Sequence, residues 1–221
     1  MQTKHLIVVA VFLAFSNLCL NASILDGLSA ADKARIEAGD QVMVSKTLPG
    51  YPWPRAQIFQ RTKLSPASLM AVFFDYNEAF KFVPNCKVSK VSKQISPVIA
   101  EVDYEVDVPV LPDESYTAEN SLKRLSGGGY AVYWRVLKST SIESSEGNLY
   151  VEPSGTGSVL RYTNLVKPSS KAAFLLRTVA MTQMKDTVNA IVNHAESLQS
   201  KSPKVVESKI RAMETALSAA K

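Results

Sequence analysis

The sequence predicts an α+β domain in which a curved antiparallel sheet of about seven strands wraps around one long C-terminal helix. Two observations lead to this prediction. Residues 55–167 contain strand-like segments separated by turn residues, and residues 170–199 then form one amphipathic helical segment. A helix of that length is about 45 Å long, which is enough to cross the whole sheet. A sheet and a helix arranged in this way enclose a cavity between them.

The range 98–108 is the clearest strand. Apolar residues alternate along it with four acidic residues, Glu101, Asp103, Glu105 and Asp107. Because successive side chains of a strand point to opposite faces, one face is apolar and the other is acidic. This pattern is typical of an antiparallel sheet with one solvated face. The four carboxylates are therefore expected to point away from any cavity, where they would not form a pair for acid–base catalysis.

The remaining helices and strands are predicted in the following order along the chain. An N-terminal extension over residues 23–52 includes a short helix, and the main domain over residues 53–200 begins with a strand. Ser65 caps a buried helix that starts at Pro66, where the missing N–H of proline costs nothing. A second short helix covers residues 77–82. Further strands are predicted over residues 87–95, 97–108, 115–125, 130–140, 147–152 and 159–166.

Residues 1–22 have the pattern of a signal peptide. A short polar start containing Lys4 precedes an apolar run over residues 6–15 that is too short to span a bilayer comfortably. We expect cleavage after Ala22 and export to a bacterial-type periplasm or outside the cell, with an uncleaved anchor as the alternative. Cys86 is then the only cysteine of the mature chain, so the fold depends on its core and not on a disulfide.

The basic charge is concentrated at the C terminus. The chain has 25 Lys+Arg and 20 Asp+Glu, a net charge of +5. Residues 201–221 are more basic than acidic, and Lys4 leaves with the signal peptide, so the folded body is nearly neutral. A nucleic-acid-binding domain would carry a basic stripe, and that class is excluded. The tail is interpreted as a basic helical or disordered extension, detachable from the domain, with peripheral membrane contact as the alternative.

Side chains suited to catalysis or metal binding are scarce. His194 is the only histidine of the mature chain, and it lies beside the apolar stripe of the long helix. One histidine is too few for a histidine-based metal site, and a Ser-His-Asp triad would need it in a cleft. The glycines at 127–129 lie between two strands, which indicates a hairpin turn and not a phosphate loop. The sequence therefore predicts no metal site, no cofactor and no catalytic residue.

Four short segments match a known pattern. They are Leu64-Ser65-Pro66-Ala67, then Val72-Phe73-Phe74-Asp75-Tyr76 followed by Phe82-Val83-Pro84, then Tyr133-Trp134-Arg135, and finally Leu160-Arg161-Tyr162. Together with the order of the elements, they resemble the START-like helix-grip (SRPBCC) superfamily, which also holds plant pathogenesis-related allergens, polyketide cyclases and ubiquinone-binding proteins. The resemblance implies an apolar cavity that binds lipids, sterols, quinones or other hydrophobic molecules. The superfamily has no common catalytic motif, so none is carried over.

Several strand and helix residues are predicted to contact the ligand. Tyr104, Trp134 and Tyr162 carry polar tips on large apolar rings, and a buried tip needs a hydrogen-bond partner. A ligand, a trapped water or a neighbouring side chain would supply that partner. Val106 is predicted to line the same wall, and Phe74 to close one side of the cavity. Packing within a filled core is the alternative interpretation of these residues.

Three residues of the long helix complete the predicted ligand-binding set. Met181 and Met184 are flexible and polarizable, which suits a wall that accepts varied apolar shapes, and ordinary packing in the core is the alternative. Arg177 falls on the apolar stripe, where a charge is costly unless it is paired. Its side chain is expected either to extend to the cavity mouth or to bind a polar head group as a bidentate donor.

These observations lead to one functional hypothesis and two alternatives. The hypothesis is the binding, and with it the transport, of a hydrophobic small molecule or lipid in the cavity between the sheet and the C-terminal helix. The first alternative is a cyclase- or hydrolase-type enzyme that uses the same cavity, which requires acid–base groups facing inward. The second is a non-catalytic envelope interaction protein whose core is completely filled.

Overall fold

The computed structural model describes residues 23–108, 113–169 and 176–220; the predicted signal peptide, residues 1–22, lies outside them. The described helices are α1 (Ala30–Glu37), α2 (Pro66–Phe74), a 3₁₀ helix (Tyr76–Lys81), α3 (Arg177–Lys201) and α4 (Pro203–Ala219). The described strands are β1 (Val42–Lys46), β2 (Arg55–Thr62), β3 (Cys86–Ser96), β4 (Ile99–Val106), β5 (Glu114–Arg124), β6 (Tyr130–Ser139), β7 (Ile142–Ser154) and β8 (Gly157–Pro168).

The strands form one antiparallel sheet in the order β1-β2-β8-β7-β6-β5-β4-β3. The predicted α+β class, with an antiparallel sheet and a long helix near the C terminus, is confirmed. The sheet has one more strand than predicted, because β1 of the N-terminal extension pairs with β2 and places Val42 opposite Phe59. Residues 23–52 therefore contribute to the same sheet as the main domain.

The inner face of the sheet, which faces α2 and α3, carries the larger hydrophobic core. Ile58, Leu122 and Leu149 from the strands are fully buried there together with Leu69 of α2 and Val188 of α3. The acidic row of β4 points to the other face, as predicted. Burying these apolar side chains supplies the main favourable free energy of folding.

The outer face of the sheet is not solvated along its whole width. Phe59 and Val159 alternate with inward residues, and they bury against Ile24, Ile36 and Val42 from the N-terminal extension. The expectation of one fully solvated face is therefore wrong at the β1–β2–β8 side. The extension covers apolar side chains that strand alternation places on the outside.

Helix α3 lies across the inner face through its predicted apolar stripe. The buried residues of the helix are Met184, Val188, Ile191, Val192 and Ala195. The predicted helix began at residue 170, and residues 170–175 lie outside the described ranges. Ser202 separates α3 from α4, and Pro203 starts α4 at a position where proline needs no backbone donor.

Helix α4 is part of the folded core. Val206 and Met213 are buried, and Ile210 and Leu217 pack against the main core. Lys209 forms an ion pair with Asp75 at the end of α2. The interpretation of the tail as detachable is therefore wrong, since its thin apolar stripe is covered by the domain. Membrane contact through the remaining basic side chains stays a prediction.

Glu214 adds a polar contact between α4 and the sheet. Its carboxylate forms an ion pair with Arg124 and accepts a hydrogen bond from the Tyr130 hydroxyl at 2.5 Å. Both partners lie on the β5–β6 hairpin, at the end of the sheet that α4 covers. No helix in the described part of the chain combines the length and apolar character needed to cross a membrane.

Replacing Met213 with alanine tests whether α4 belongs to the core. Met213 is 0% exposed, so Met213→Ala should lower the free energy of unfolding by about 2–5 kcal/mol, because truncation leaves a cavity. Urea denaturation measures this change. Glu207→Ala, at an exposed position of the same helix, should change it by no more than about 0.5 kcal/mol. Equal, small effects of the two substitutions would mean that α4 is not held by the domain.

Candidate ligand-binding cavity

A cavity of about 340 Å³ lies between the inner face of the sheet and the first half of α3. Its walls come from β4, β5, β6 and β8, and its roof from α3 residues between Leu176 and Ile191. Val83, Pro84 and Cys86 close the side next to the 3₁₀ helix. The volume is at the small end of the range of about 300–1,000 Å³ that is typical of small-molecule sites.

Aromatic rings form much of the cavity wall. Tyr104 of β4 and Tyr116 of β5 are directly opposite in register, and their rings stack with centroids 5.0 Å apart. Trp134 of β6 lies 5.0 Å from the ring of Tyr162 on β8 and 6.4 Å from the ring of Phe73. These ring-to-ring contacts pack the side chains of the wall against one another.

Gly147 of β7 makes room for the Trp134 ring. It is paired with Trp134 on one side and with Asn164 on the other, in the middle of the sheet. A Cβ atom at this position would lie 2.3 Å from Cζ2 of Trp134 and 2.3 Å from the backbone oxygen of Thr163. Only glycine avoids both clashes, because it has no side chain.

The tyrosine hydroxyls make the cavity polar without charging it. Burial raises the pKa of Tyr104, Tyr116 and Tyr162 above the ordinary value, and for Tyr104 the Asn120 side chain acts in the opposite direction. The three hydroxyls therefore stay protonated at neutral pH. No hydrogen bond joins the Tyr116 or Tyr162 hydroxyl to another described residue. A ligand or a water molecule is their natural partner.

Glu114 is the acidic residue of the cavity wall. It begins β5, is 5% exposed, and accepts hydrogen bonds from the Ser139 hydroxyl at 2.5 Å, from the Ser141 hydroxyl, and from the Ser141 backbone N–H at 3.4 Å. Within the described ranges it forms no ion pair, and no described Lys, Arg or His lines the cavity. The carboxylate is held by neutral donors alone.

Five of the eight predicted ligand-contact residues line this cavity. They are Tyr104, Val106, Trp134, Tyr162 and Met184. Val106 and Tyr104 share the inward face of β4, as the alternation of that strand requires. Placement on the wall is a geometric finding, and contact of these residues with a ligand stays a prediction.

The other three predicted residues are not among those that line the cavity. Phe74 packs beside Tyr76 and lines a separate groove against α4, while its neighbour Phe73 faces the cavity instead. Met181 packs half-buried against the main core. Arg177 is exposed at the first residue of α3 and has no ion pair with a described residue. A guanidinium group that can reach water avoids the cost of burial, and Arg177 is not among the residues of the cavity wall. Extension of its side chain to the cavity mouth, or binding of a head group there, stays a prediction.

Sequence reasoning missed the row of β5 side chains. Glu114, Tyr116, Ala118 and Asn120 all face the cavity, which follows from their spacing of two along one strand. The signal was present in the sequence, because Tyr116 lies opposite Tyr104 once the two strands form a hairpin. The choice between Phe73 and Phe74 had no such signal, since α2 is apolar on most sides.

A larger hollow of about 520 Å³ lies on the outer face of the sheet. It is a less suitable site for an apolar ligand because charged and polar side chains make up most of its lining. Arg135 pairs with Glu119 at 3.0 Å, and the Arg161 guanidinium lies 4.5 Å from the ring centroid of Tyr150. The inner cavity is therefore the candidate site.

Histidine and metal chemistry are not found at the cavity. The ring of His194 stacks on Phe82 with centroids 4.3 Å apart, and His194 does not line the cavity. No group of three or more potential metal-ligating side chains occurs among the residues that the structure describes. Cys86 lines one side, where burial raises the pKa of its thiol and its Sγ donates to the Val88 carbonyl at 3.3 Å. It has the character of a packed thiol.

The substitution Gly147→Ala tests the close approach of Trp134 to β7. We expect it to lower the free energy of unfolding by about 1–3 kcal/mol, because the strand and the ring must move apart. Chemical denaturation followed by tryptophan fluorescence measures both the stability and the ring environment. Glu146→Ala, at the neighbouring exposed residue, is the control and should leave both unchanged. Unchanged stability of the Gly147 variant would contradict this geometry.

No family model matches the sequence, and no curated protein matches it. Solved structures do match, at low sequence identity. A STAR-related lipid transfer protein from Xanthomonas axonopodis has a TM-score of 0.63 at 14% identity, over 72% of this chain and 98% of that one. Human StAR-related lipid transfer protein 5 has a TM-score of 0.58 at 9% identity, over 76% of this chain and 94% of that one.

An aromatase/cyclase, Zhui from a Streptomyces species, also matches. Its TM-score is 0.54 at 14% identity, over 67% of this chain and 96% of that one. Proteins with different activities thus share this architecture, and similarity at these identities establishes the fold alone. The order of elements, the open antiparallel sheet and the helix across its inner face agree with all three. The chain has the START-like helix-grip fold.

Proposed function

We propose that this protein binds a hydrophobic small molecule or lipid in the cavity between the sheet and α3. The observation that carries the proposal is the cavity itself, about 340 Å³ of space walled by Tyr104, Tyr116, Trp134 and Tyr162. An apolar ligand that enters this space leaves water, which contributes on the order of 25 cal/mol per Å² of buried area before the costs of binding. The tyrosine hydroxyls fix the orientation of its polar atoms.

The similar structures support this proposal through their names. Two of them are called lipid transfer proteins, and they have the same sheet and helix arrangement. The fold alone does not establish a function, because one fold hosts unrelated functions, so the residues of the cavity matter more. The walls of this cavity are mainly apolar and aromatic, which suits the kind of ligand that those names state. Transport, as distinct from binding, is part of the proposal and requires that the ligand leaves again.

An enzymatic function has less support. The match to an aromatase/cyclase favours it, and the cavity holds several tyrosines. However, burial raises the pKa of Tyr104, Tyr116 and Tyr162, so these groups remain protonated and do not act as bases at neutral pH. Of the described residues that line the cavity, only Glu114 has a carboxylate, and none is a histidine. Binding without turnover fits these groups better.

An interaction protein with a filled core is also less consistent with the geometry. The inner core is tightly packed at α2, around Leu69 and Met70, and at the second half of α3. Under the first half of α3 the side chains leave open space, with Ala180 and Gln183 above it. Natural cores rarely leave voids of this size without a ligand or water. Export through the predicted signal peptide is proposed from the sequence alone.

Filling the cavity from its roof tests the proposal. Ala180 lines the cavity from α3, so Ala180→Trp should occupy the ligand space and lower the affinity for an apolar probe by tenfold or more. Isothermal titration calorimetry with naphthylmethanol measures the affinity. Thr182→Trp adds the same side chain at an exposed position of the same helix, and it should bind like the unmodified protein.

Three results would count against binding in this cavity. The first is no binding of naphthylmethanol to the unmodified protein. The second is equal affinity of the Ala180→Trp and Thr182→Trp variants. The third is turnover of a polyketide-like substrate that Glu114→Gln abolishes, which would favour the enzyme. Circular dichroism and thermal unfolding of each variant confirm that a change in affinity does not come from a loss of folding.

A further inference from the structure

We infer that the cavity selects its ligand by charge: it takes an apolar molecule that ends in an ammonium group, and it rejects the same apolar body when that body ends in a carboxylate or phosphate. The inference rests on the proposed function and names its ligand class. It follows from the sign of the charge in the cavity, from the position of Glu114, and from the aromatic rings beside it.

The part of the cavity wall that the structure describes has no positive charge. No Lys, Arg or His lines it among the described residues, and Arg177, the predicted head-group ligand, is exposed. An anionic head group in this space would lose its water and gain no cationic partner from the described lining residues, which is costly. Glu114 would repel it as well, and the repulsion is stronger away from bulk water.

Glu114 is held in the cavity wall by neutral hydrogen-bond donors. The carboxylate is almost fully buried, and its hydrogen bonds come from two serines, Ser139 and Ser141. These donors hold the carboxylate in one position, but they bring no positive charge. The neighbouring Asp113, in contrast, points outward and pairs with Lys87 at 2.7 Å. An ammonium group at Glu114 would supply the missing charge through a charge-assisted hydrogen bond.

Aromatic rings lie near that carboxylate on the cavity wall. Tyr116 is two residues along on the same face of β5, within about 7 Å, and its ring stacks on Tyr104. The faces of aromatic rings attract cations and repel anions. Trp134 and Tyr162 extend this aromatic surface across β6 and β8. The apolar body of the ligand would lie along these rings with its ammonium group at Glu114.

A matched series of probes tests this inference. Naphthylmethylamine, naphthylmethanol and naphthoate share one apolar body and differ in charge, and at pH 7 the amine is protonated and the acid ionised. Calorimetric titration of the unmodified protein should give the tightest binding for the amine, with naphthoate weaker than naphthylmethanol by about tenfold or more. Binding of naphthoate as tight as that of the amine would overturn the inference.

Two variants then test whether Glu114 is responsible. Glu114→Gln keeps the shape of the side chain and removes its charge, so it should weaken binding of the amine by about tenfold, strengthen binding of naphthoate, and leave naphthylmethanol unchanged. Asp113→Asn removes one charge at the adjacent outward position and should leave the order of the three probes as it was. An amine preference that survives in Glu114→Gln would overturn the assignment.

Failure of this inference and failure of the proposed function give different results. If naphthylmethanol binds the unmodified protein but the charge order is absent or reversed, the cavity binds apolar molecules without the selectivity inferred here. If none of the three probes binds, the proposed function fails, and the inference fails with it. Thermal unfolding of both variants shows whether altering the serine contacts of Glu114 lowers the stability of the fold.

Discussion

The packing of α3 against the inner face of the sheet is the contact on which the rest of the molecule depends. The second half of the helix holds it in place, since Val188 and Ala195 are almost fully buried among strand and α2 residues. The first half covers open space, with Ala180 and Gln183 above the cavity. One helix therefore anchors the core at one end and roofs a cavity at the other. The apolar surface that the second half of α3 buries stabilises the whole helix. The first half can therefore cover open space.

Around this contact, the chain adds support on both sides of the sheet. Helix α4 closes the inner face through Met213 and fastens itself to α2 by the Lys209–Asp75 ion pair. The N-terminal extension covers Phe59 and Val159 on the outer face. An open sheet with a cavity beneath it has fewer core contacts than a filled one. These two additions bury apolar area elsewhere, which offsets that loss.

The polar groups of the cavity follow from the same geometry. Strand β5 places Glu114, Tyr116 and Asn120 on one inward row, and Tyr104 of β4 faces that row. The hydroxyls stay neutral because burial raises their pKa, so the one acidic side chain sets the sign of the charge in the described part of the wall. Under the inference drawn above, a hydrophobic cavity with this carboxylate would distinguish ligands that have the same apolar body. Specificity of this kind comes mainly from what the site rejects.

Much of this fold could be predicted from the sequence, because strand alternation and the helical stripe report which side chains are buried. The segment 98–108 placed Tyr104 and Val106 on the inward face, and the stripe of α3 placed Met184 there. The packing of helix α4 against the domain could not be predicted, since a thin apolar stripe is typical of a solvated helix until α2 is seen beside it. The helical period put Arg177 on the apolar stripe but does not tell where along the helix the sheet ends, and this residue is exposed at the start of α3.

The most direct test of the account is native mass spectrometry of the protein purified from its own host, followed by extraction and identification of any bound molecule. The account predicts one co-purifying apolar molecule per chain, small enough for the cavity and carrying an amine or other ammonium group. That molecule should be lost in the Ala180→Trp variant. A protein that emerges without ligand, and whose crystal structure has the space under α3 filled by its own side chains, would contradict it.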